Sequence, residues 1–222
     1  MPGSQPINVQ ERQASWMADH HRYLVDRFAS DCRTCLDVGC GAGMVMETLS
    51  DMLQIKGVDM DPDQVQIAVN HGLNVNTGNG NALPYPDSTF DLVICSFYLM
   101  WVKDKSKALK EMMRVSSGKI IILAEPIWSM TMKDPRELED LILLSMDKIR
   151  NGGGDPDAGL EVLNLVRRMG IEHRYGTIPM DTSPGETLMN VQAEAEINGL
   201  TLDVPEPILF NVPFIWVVMD MS

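Results

Sequence analysis

Apolar residues first recur at helical spacing. Between Val9 and Ala29, the positions Trp16, Tyr23, Leu24 and Phe28 return with a 3.6-residue period, which predicts an amphipathic helix. The period then changes. Thr34 to Val38 reads as a short buried strand, followed by the turn Gly39-Cys40-Gly41-Ala42-Gly43 and a helical pattern from Met44 to Met52. Gln54 to Asp59 predicts a second strand. Asp61-Pro62 is a helix-start signal, a capping carboxylate followed by proline at the first helical position, and that helix is expected to reach about His71 and stop at Gly72. Leu73 to Thr77 gives a weaker third strand, and a Gly/Asn-rich turn and the Pro84-Tyr85-Pro86-Asp87 loop lead into a fourth strand, Phe90 to Ser96. A helix over about Asp104 to Val115 precedes Gly118 to Glu125, a continuous apolar run of the kind covered on both faces of a sheet, which Pro126 ends.

Further along, the pattern predicts a helix over about Pro135 to Arg150, a break at Asn151-Gly152-Gly153-Gly154, and a helix near Leu160 to Met169. A final strand near Phe210 to Met219 is expected to close the sheet edge. Strands alternating with helices imply parallel βαβ units, so the fold class is α/β with a doubly wound, mostly parallel sheet and helices on both faces.

The chain has 222 residues, 45% of them apolar, enough for one substantial core. Its net charge of −13 repels anionic polymers and acidic lipid surfaces, and no basic cluster offsets it, so neither a nucleic acid nor a membrane is expected as partner. Met1 to Glu11 does not resemble a secretory leader, and the strongest apolar stretch, Ile120 to Ala124, is too short for a bilayer, so a cytoplasmic protein is expected. Cys32, Cys35, Cys40 and Cys95 lie in strands or at their ends and are read as reduced apolar fillers. Cys32 and Cys35 form a C-x-x-C pair, but no second pair supplies further ligands, and no metal is expected.

Gly39, Gly41 and Gly43 follow a strand and precede a helix, which lets backbone approach a ligand at the strands' carboxyl ends. A dinucleotide-type G-x-G-x-x-G is absent: Met44 or Met46 stands where the last glycine belongs. No Gly-Lys-Ser or Gly-Lys-Thr ends the turn, so a nucleotide-phosphate loop is excluded too.

Leu36-Asp37-Val38-Gly39-Cys40-Gly41-Ala42-Gly43 resembles the first motif of the class I, Rossmann-like S-adenosylmethionine-dependent methyltransferase family. Asp59 matches the family's acidic residue for the ribose hydroxyls, a role two carboxylate oxygens suit, leaving Asp61 to cap the helix. Met60 stands where the family packs a side chain on adenine. Gly80-Asn81-Ala82-Leu83-Pro84-Tyr85-Pro86-Asp87 resembles the family's "G-D-A-x-x-L-P-F-P-D" region, with shorter spacing and Asn81 in place of the acidic residue; its carbonyl oxygen can still accept from the adenine amino group. Phe90 to Ser96 resembles the fourth strand, and Arg114 to Glu125 the "R-V-L-K-P-G-G" turn and fifth strand, with Ser116-Ser117-Gly118 as a shortened turn.

The resemblance covers Leu36 to Pro126 and implies a seven-stranded sheet with an antiparallel edge strand. It implies one domain over 1–222: an N-terminal helical lid at 1–30, a cofactor-binding core at 31–126, and substrate-side helices with C-terminal strands at 127–222. The implied cofactor is S-adenosyl-L-methionine, the product S-adenosyl-L-homocysteine, and the cofactor set Asp37, Gly39, Cys40, Gly41, Gly43, Asp59, Met60, Gly80, Asn81, Ala82 and Ser96. No catalytic base stands out. Tyr98 and Trp101 after the fourth strand, and His20 and Tyr23 on the first helix, are the candidates to meet a small-molecule acceptor, with Trp16, Glu125 and Trp128 beside them. A catalytically silent cofactor-binding sensor or partner subunit, and aminopropyl transfer on the same fold, are the alternatives, and a homodimer is left open.

Overall fold

Short apolar runs become strands here because both faces of the sheet are covered. A computed structural model of the chain describes residues 7–178, 184–200 and 209–221; the first six residues, part of the leader expectation, lie outside them. The elements run α1 (Ile7–Ala29), β1 (Thr34–Val38), α2 (Met44–Leu49), β2 (Gln54–Asp59), α3 (Pro62–Asn70), β3 (Val75–Thr77) and β4 (Phe90–Ser96). After the one-turn 3-10 helix Leu99–Trp101 come α4 (Lys105–Val115), β5 (Ser116–Pro126), β6 (Met132–Asp134), α5 (Leu138–Asn151) and α6 (Ala158–Arg168). β7 (His173–Thr177), α7 (Pro184–Ile197), β8 (Leu209–Asn211) and β9 (Phe214–Asp220) complete the order.

A seven-stranded sheet has the order β3-β2-β1-β4-β5-β9-β7. β1 to β5 pair in parallel, and β9 runs antiparallel to both of its neighbours. The expected final strand therefore does not close the sheet. It divides around Val212 and Pro213, its first part pairing with β6 as β8 and its second lying one strand in from the edge. The reason is burial: nearly all of β9 is covered, as an inner strand must be, whereas β7 is largely exposed and makes the edge. Ser116-Ser117-Gly118 forms no turn either. α4 passes straight into β5, Ser116 pairs opposite Phe90, and a register shift between Phe90 and Leu92 absorbs the extra residue.

Alternation along the strands sorts the core into two layers. Leu36, Val38, Val93, Cys95, Ile120 and Ile122 pack with Leu109 and Met112 of α4 and Val162 and Val166 of α6. On the other face Cys35, Ile94, Ile121 and Leu123 meet Leu24, Val25 and Ala29 of α1 and Leu49 of α2. The buried stripe of α1 thus runs through Met17, His21 and Leu24, while Trp16 and Tyr23 are 41% and 57% exposed. Buried Lys105 ties the start of α4 to Asp155 and to Glu161 of α6 at 3.1 and 2.7 Å. Among the described residues no helix is long and apolar enough to cross a membrane.

Candidate functional site

β1 lies between β2 and β4, so the chain leaves it in opposite senses at the carboxyl ends, the place where such sheets form a crevice. The turn after β1 lines it. Gly39, Gly41 and Gly43 all have positive φ, at 74°, 53° and 91°, a conformation that excludes most side chains. The Gly39 and Cys40 amides donate to Val58 O at 2.8 and 3.2 Å, which sews the turn to β2.

Asp59 closes the same turn from β2. Its Oδ2 accepts from the Gly41 amide at 2.8 Å and its Oδ1 from the Asp61 amide at 2.9 Å, and Asp61 in turn caps α3 through the Asp63 amide, as expected. Burial pushes the Asp59 carboxyl above its usual range. An ionised carboxylate has roughly four lone-pair sites, so two remain for a pair of hydroxyls. Met60 follows with 62% exposure, an apolar side chain presented to the rim.

Asp37 is 1% exposed, and neither of its oxygens has a hydrogen-bond partner. Burial, then the neighbouring Asp59 charge, raises it to about 7. An unpartnered buried carboxylate is costly, and a cation supplied by a ligand is the group that relieves it. Among the other buried acceptors in that condition are Asn81 Oδ1, after β3, and Ser96 Oγ, at the end of β4. Asn81 is set by an Asx turn in which its amide donates to Asn79 Oδ1 at 2.9 Å. Arg114 fastens the loop that follows: it donates to Leu83 O, Tyr85 O and Asp87, while its partner Glu111 accepts from the Leu83 amide. Ala82 is exposed beside Asn81, and the Cys40 thiol, pushed up by burial, points to packing rather than to reaction.

The candidates for the acceptor side separate. Tyr98 lies inside the crevice: a Cβ placed on Gly39 would come within 2.6 Å of its Cγ, and one on Gly80 within 2.8 Å of its Cζ. Burial raises its hydroxyl pKa, followed by Cys95, Asp59 and Glu125, so it is a poor base. Trp101 instead packs on the break after α5, its Cζ3 2.7 Å from a Cβ placed on Gly154. Tyr23 faces outward, lining a shallow surface hollow with Asp19, Arg22, Asp26 and Met52. His20 is half-buried, its ring 6.3 Å from that of Tyr23, with Nε2 unpartnered and burial holding its pKa down. Trp128 is buried in the layer with Met17 and Ala124.

One buried residue was not singled out from the sequence. His21 is 1% exposed with both ring nitrogens unpartnered, and burial, then His20, lowers it to about 3. Its spacing four after Met17 and three before Leu24 was the available signal. Glu125, 0% exposed, accepts from the Leu99 and Met100 amides at 2.7 and 3.0 Å and so anchors the 3-10 helix that carries Tyr98; burial raises it to about 8. Asp91 lies at the opposite end of β4, away from the crevice, where it accepts from the Arg33 and Thr34 amides.

Residues 36–122, spanning the glycine turn through most of β5, match the family model described as a methyltransferase domain. The chain is 35% identical over 102 residues to ajmaline N-methyltransferase of Rauvolfia serpentina, covering 41% of this chain and 35% of that protein. It is 32% identical over 123 residues to a ubiquinone/menaquinone biosynthesis C-methyltransferase of Enterobacter sp., covering 46% of this chain and 49% of that one. The match thus spans a third to a half of these relatives' length. In fold, a crystal structure of an S-adenosylmethionine-dependent methyltransferase from Thermotoga maritima superposes with TM-score 0.62 at 20% identity, covering 97% of this chain and 96% of that one. A geranyl diphosphate methyltransferase in complex with S-adenosylmethionine gives 0.62 at 12% identity, over 100% and 93%. Residues 36–122 belong to the methyltransferase domain family, and they stand within the fold of the class I, Rossmann-like S-adenosylmethionine-dependent methyltransferases.

Proposed function

We propose that this chain is an S-adenosylmethionine-dependent methyltransferase acting on a small-molecule acceptor, a single catalytic domain over 1–222 working in the cytoplasm. One observation carries the reading: three buried acceptors without partners, Asp37, Asn81 and Ser96, surround a glycine turn already braced by Asp59. They fit the cofactor group by group. Asp37 suits the amino-acid ammonium, Asp59 the ribose hydroxyls, Asn81 Oδ1 the adenine amino group, and exposed Met60 an adenine face. Gly39, Cys40, Gly41, Gly43, Gly80 and Ala82 supply close backbone approach.

The sulfonium cofactor supplies an activated methyl group for in-line displacement, leaving S-adenosylhomocysteine. The protein's part is to hold the acceptor atom opposite the sulfur and to exclude water. An acceptor that arrives ionised needs no base, and half-buried His20, kept neutral by its surroundings, is the side chain available to one that does not. Exposed Met130 and Met132, after β5, favour an apolar acceptor. Four buried free cysteines suit a reducing compartment.

Calorimetric titration with S-adenosylmethionine, S-adenosylhomocysteine and NAD tests the reading. The sulfur nucleosides are expected to bind, and Asp59→Ala to weaken them by about 1.5–3 kcal/mol, the range for hydrogen bonds to charged groups. Binding of NAD alone, or of none, overturns it.

A further inference from the structure

The two bare glycine backbones that border the crevice, Gly39 and Gly80, face the same object, the ring of Tyr98. A Cβ on Gly39 would lie 2.6 Å from Tyr98 Cγ and 2.9 Å from its Cβ; one on Gly80 would lie 2.8 Å from Cζ. Space that glycine keeps clear for a ligand is therefore filled by this chain's own aromatic side chain. The ring does nothing for the acceptors around it: Asp37, Asn81 Oδ1 and Ser96 Oγ stay unpartnered. No hydrogen-bond partner for its hydroxyl lies among the described residues.

The main chain beneath the ring is pinned. Phe97, held at φ 52°, donates its amide to Ala124 O at 2.8 Å, and buried Glu125 holds the amides of Leu99 and Met100. The segment cannot shift as a whole without giving up these bonds, which leaves rotation of the side chain as the available motion.

We infer that Tyr98 is the gate of the cofactor crevice: its ring, lodged between Gly39 and Gly80, turns out to admit the sulfur nucleoside and sets how tightly and how fast that nucleoside enters. This rests on the cofactor reading above. A site whose competent form is a fraction of the population binds more weakly by that fraction, so removing the ring strengthens binding: about tenfold if the open form is a tenth of the molecules.

The test compares S-adenosylhomocysteine binding to the intact chain, Tyr98→Phe and Tyr98→Ala by calorimetry and stopped-flow, alongside fluorine NMR of chain labelled with 3-fluorotyrosine. The chain has four tyrosines, so the loss of one signal in Tyr98→Phe assigns the gate, and the labelled intact chain needs no cavity-forming variant. The expected result is several-fold tighter and faster binding to Tyr98→Ala than to the intact chain or to Tyr98→Phe, which keeps the ring, and a shift of the Tyr98 signal on adding the nucleoside. Nucleoside that binds without moving that signal, or binds Tyr98→Ala no tighter than the intact chain, overturns the gate and leaves the cofactor reading standing. Failure of every form to bind overturns both.

Discussion

At Asp37 a carboxyl group is held with neither oxygen hydrogen-bonded and keeps its proton up to about pH 7, because burial and then the charge of Asp59 disfavour its ionised form. A ligand ammonium binds the ionised form, so affinity for S-adenosylhomocysteine is expected to rise as pH is raised through about 7, with a proton released on binding. Asp37→Asn flattens that part of the profile and weakens binding; calorimetry in buffers of different protonation enthalpy reads both. An unchanged profile in the variant removes Asp37 from the site. The place of Asp37 in β1 and that of Asp59 at the end of the neighbouring β2 were legible from the strand pattern and the glycine motif, because each follows from position along a strand. Tyr98 was named from its place after β4, but its lodging between Gly39 and Gly80 was not legible. Its direction depends on Phe97 taking a left-handed conformation without being glycine, which no spacing announces.

The 3-10 helix Leu99–Trp101 depends on a single buried carboxyl group from β5. Glu125 accepts two amides with its two oxygens, whereas glutamine would turn an NH₂ group toward one of them. Glu125→Gln is therefore expected to destabilise the fold by about 1–3 kcal/mol, the cost of a buried unsatisfied group. The pH dependence follows from a pKa raised from 4.5 to about 8: the stability Glu125 contributes is full below 4.5 and is lost as pH rises through about 8. Denaturant titrations across that window are expected to slope for the intact chain and to lose this component in the variant. Elements of this kind were legible in proportion to their burial. β1 and β4 fall on the residues that the apolar pattern marks, since central parallel strands are largely buried apolar runs. β7, with the mixed sequence His-Arg-Tyr-Gly-Thr, carries no such run because it is an edge, and it went unread. Likewise the apolar stripe of α1 was read through Trp16, Tyr23, Leu24 and Phe28: Leu24 lies on the Met17-His21-Leu24 face that the sheet covers, whereas Trp16 and Tyr23 each fall one position off it.

Across the whole molecule, β1 to β5 and the first four helices form one run of chain that pairs in parallel, and residues 36–122 within it carry the family match. What lies beyond β5 is placed by the tertiary structure: β9 enters between β5 and β7, and β7 has no other neighbour in the sheet. Synthesis proceeds in the opposite order, because residues 173–177 leave the ribosome before residues 214–220 exist. A nascent chain stalled with its exposed part ending at residue 200 thus has two bare strand margins, the outer side of β5 and all of β7. Pulse proteolysis is expected to cut such chains near β7 and to spare those exposed through residue 221. Equal protection of both would mean that β7 finds shelter elsewhere. β9 is the keystone of the sheet, so a message cut short before residues 214–220 is expected to yield a polypeptide open to proteolysis however sound its glycine turn.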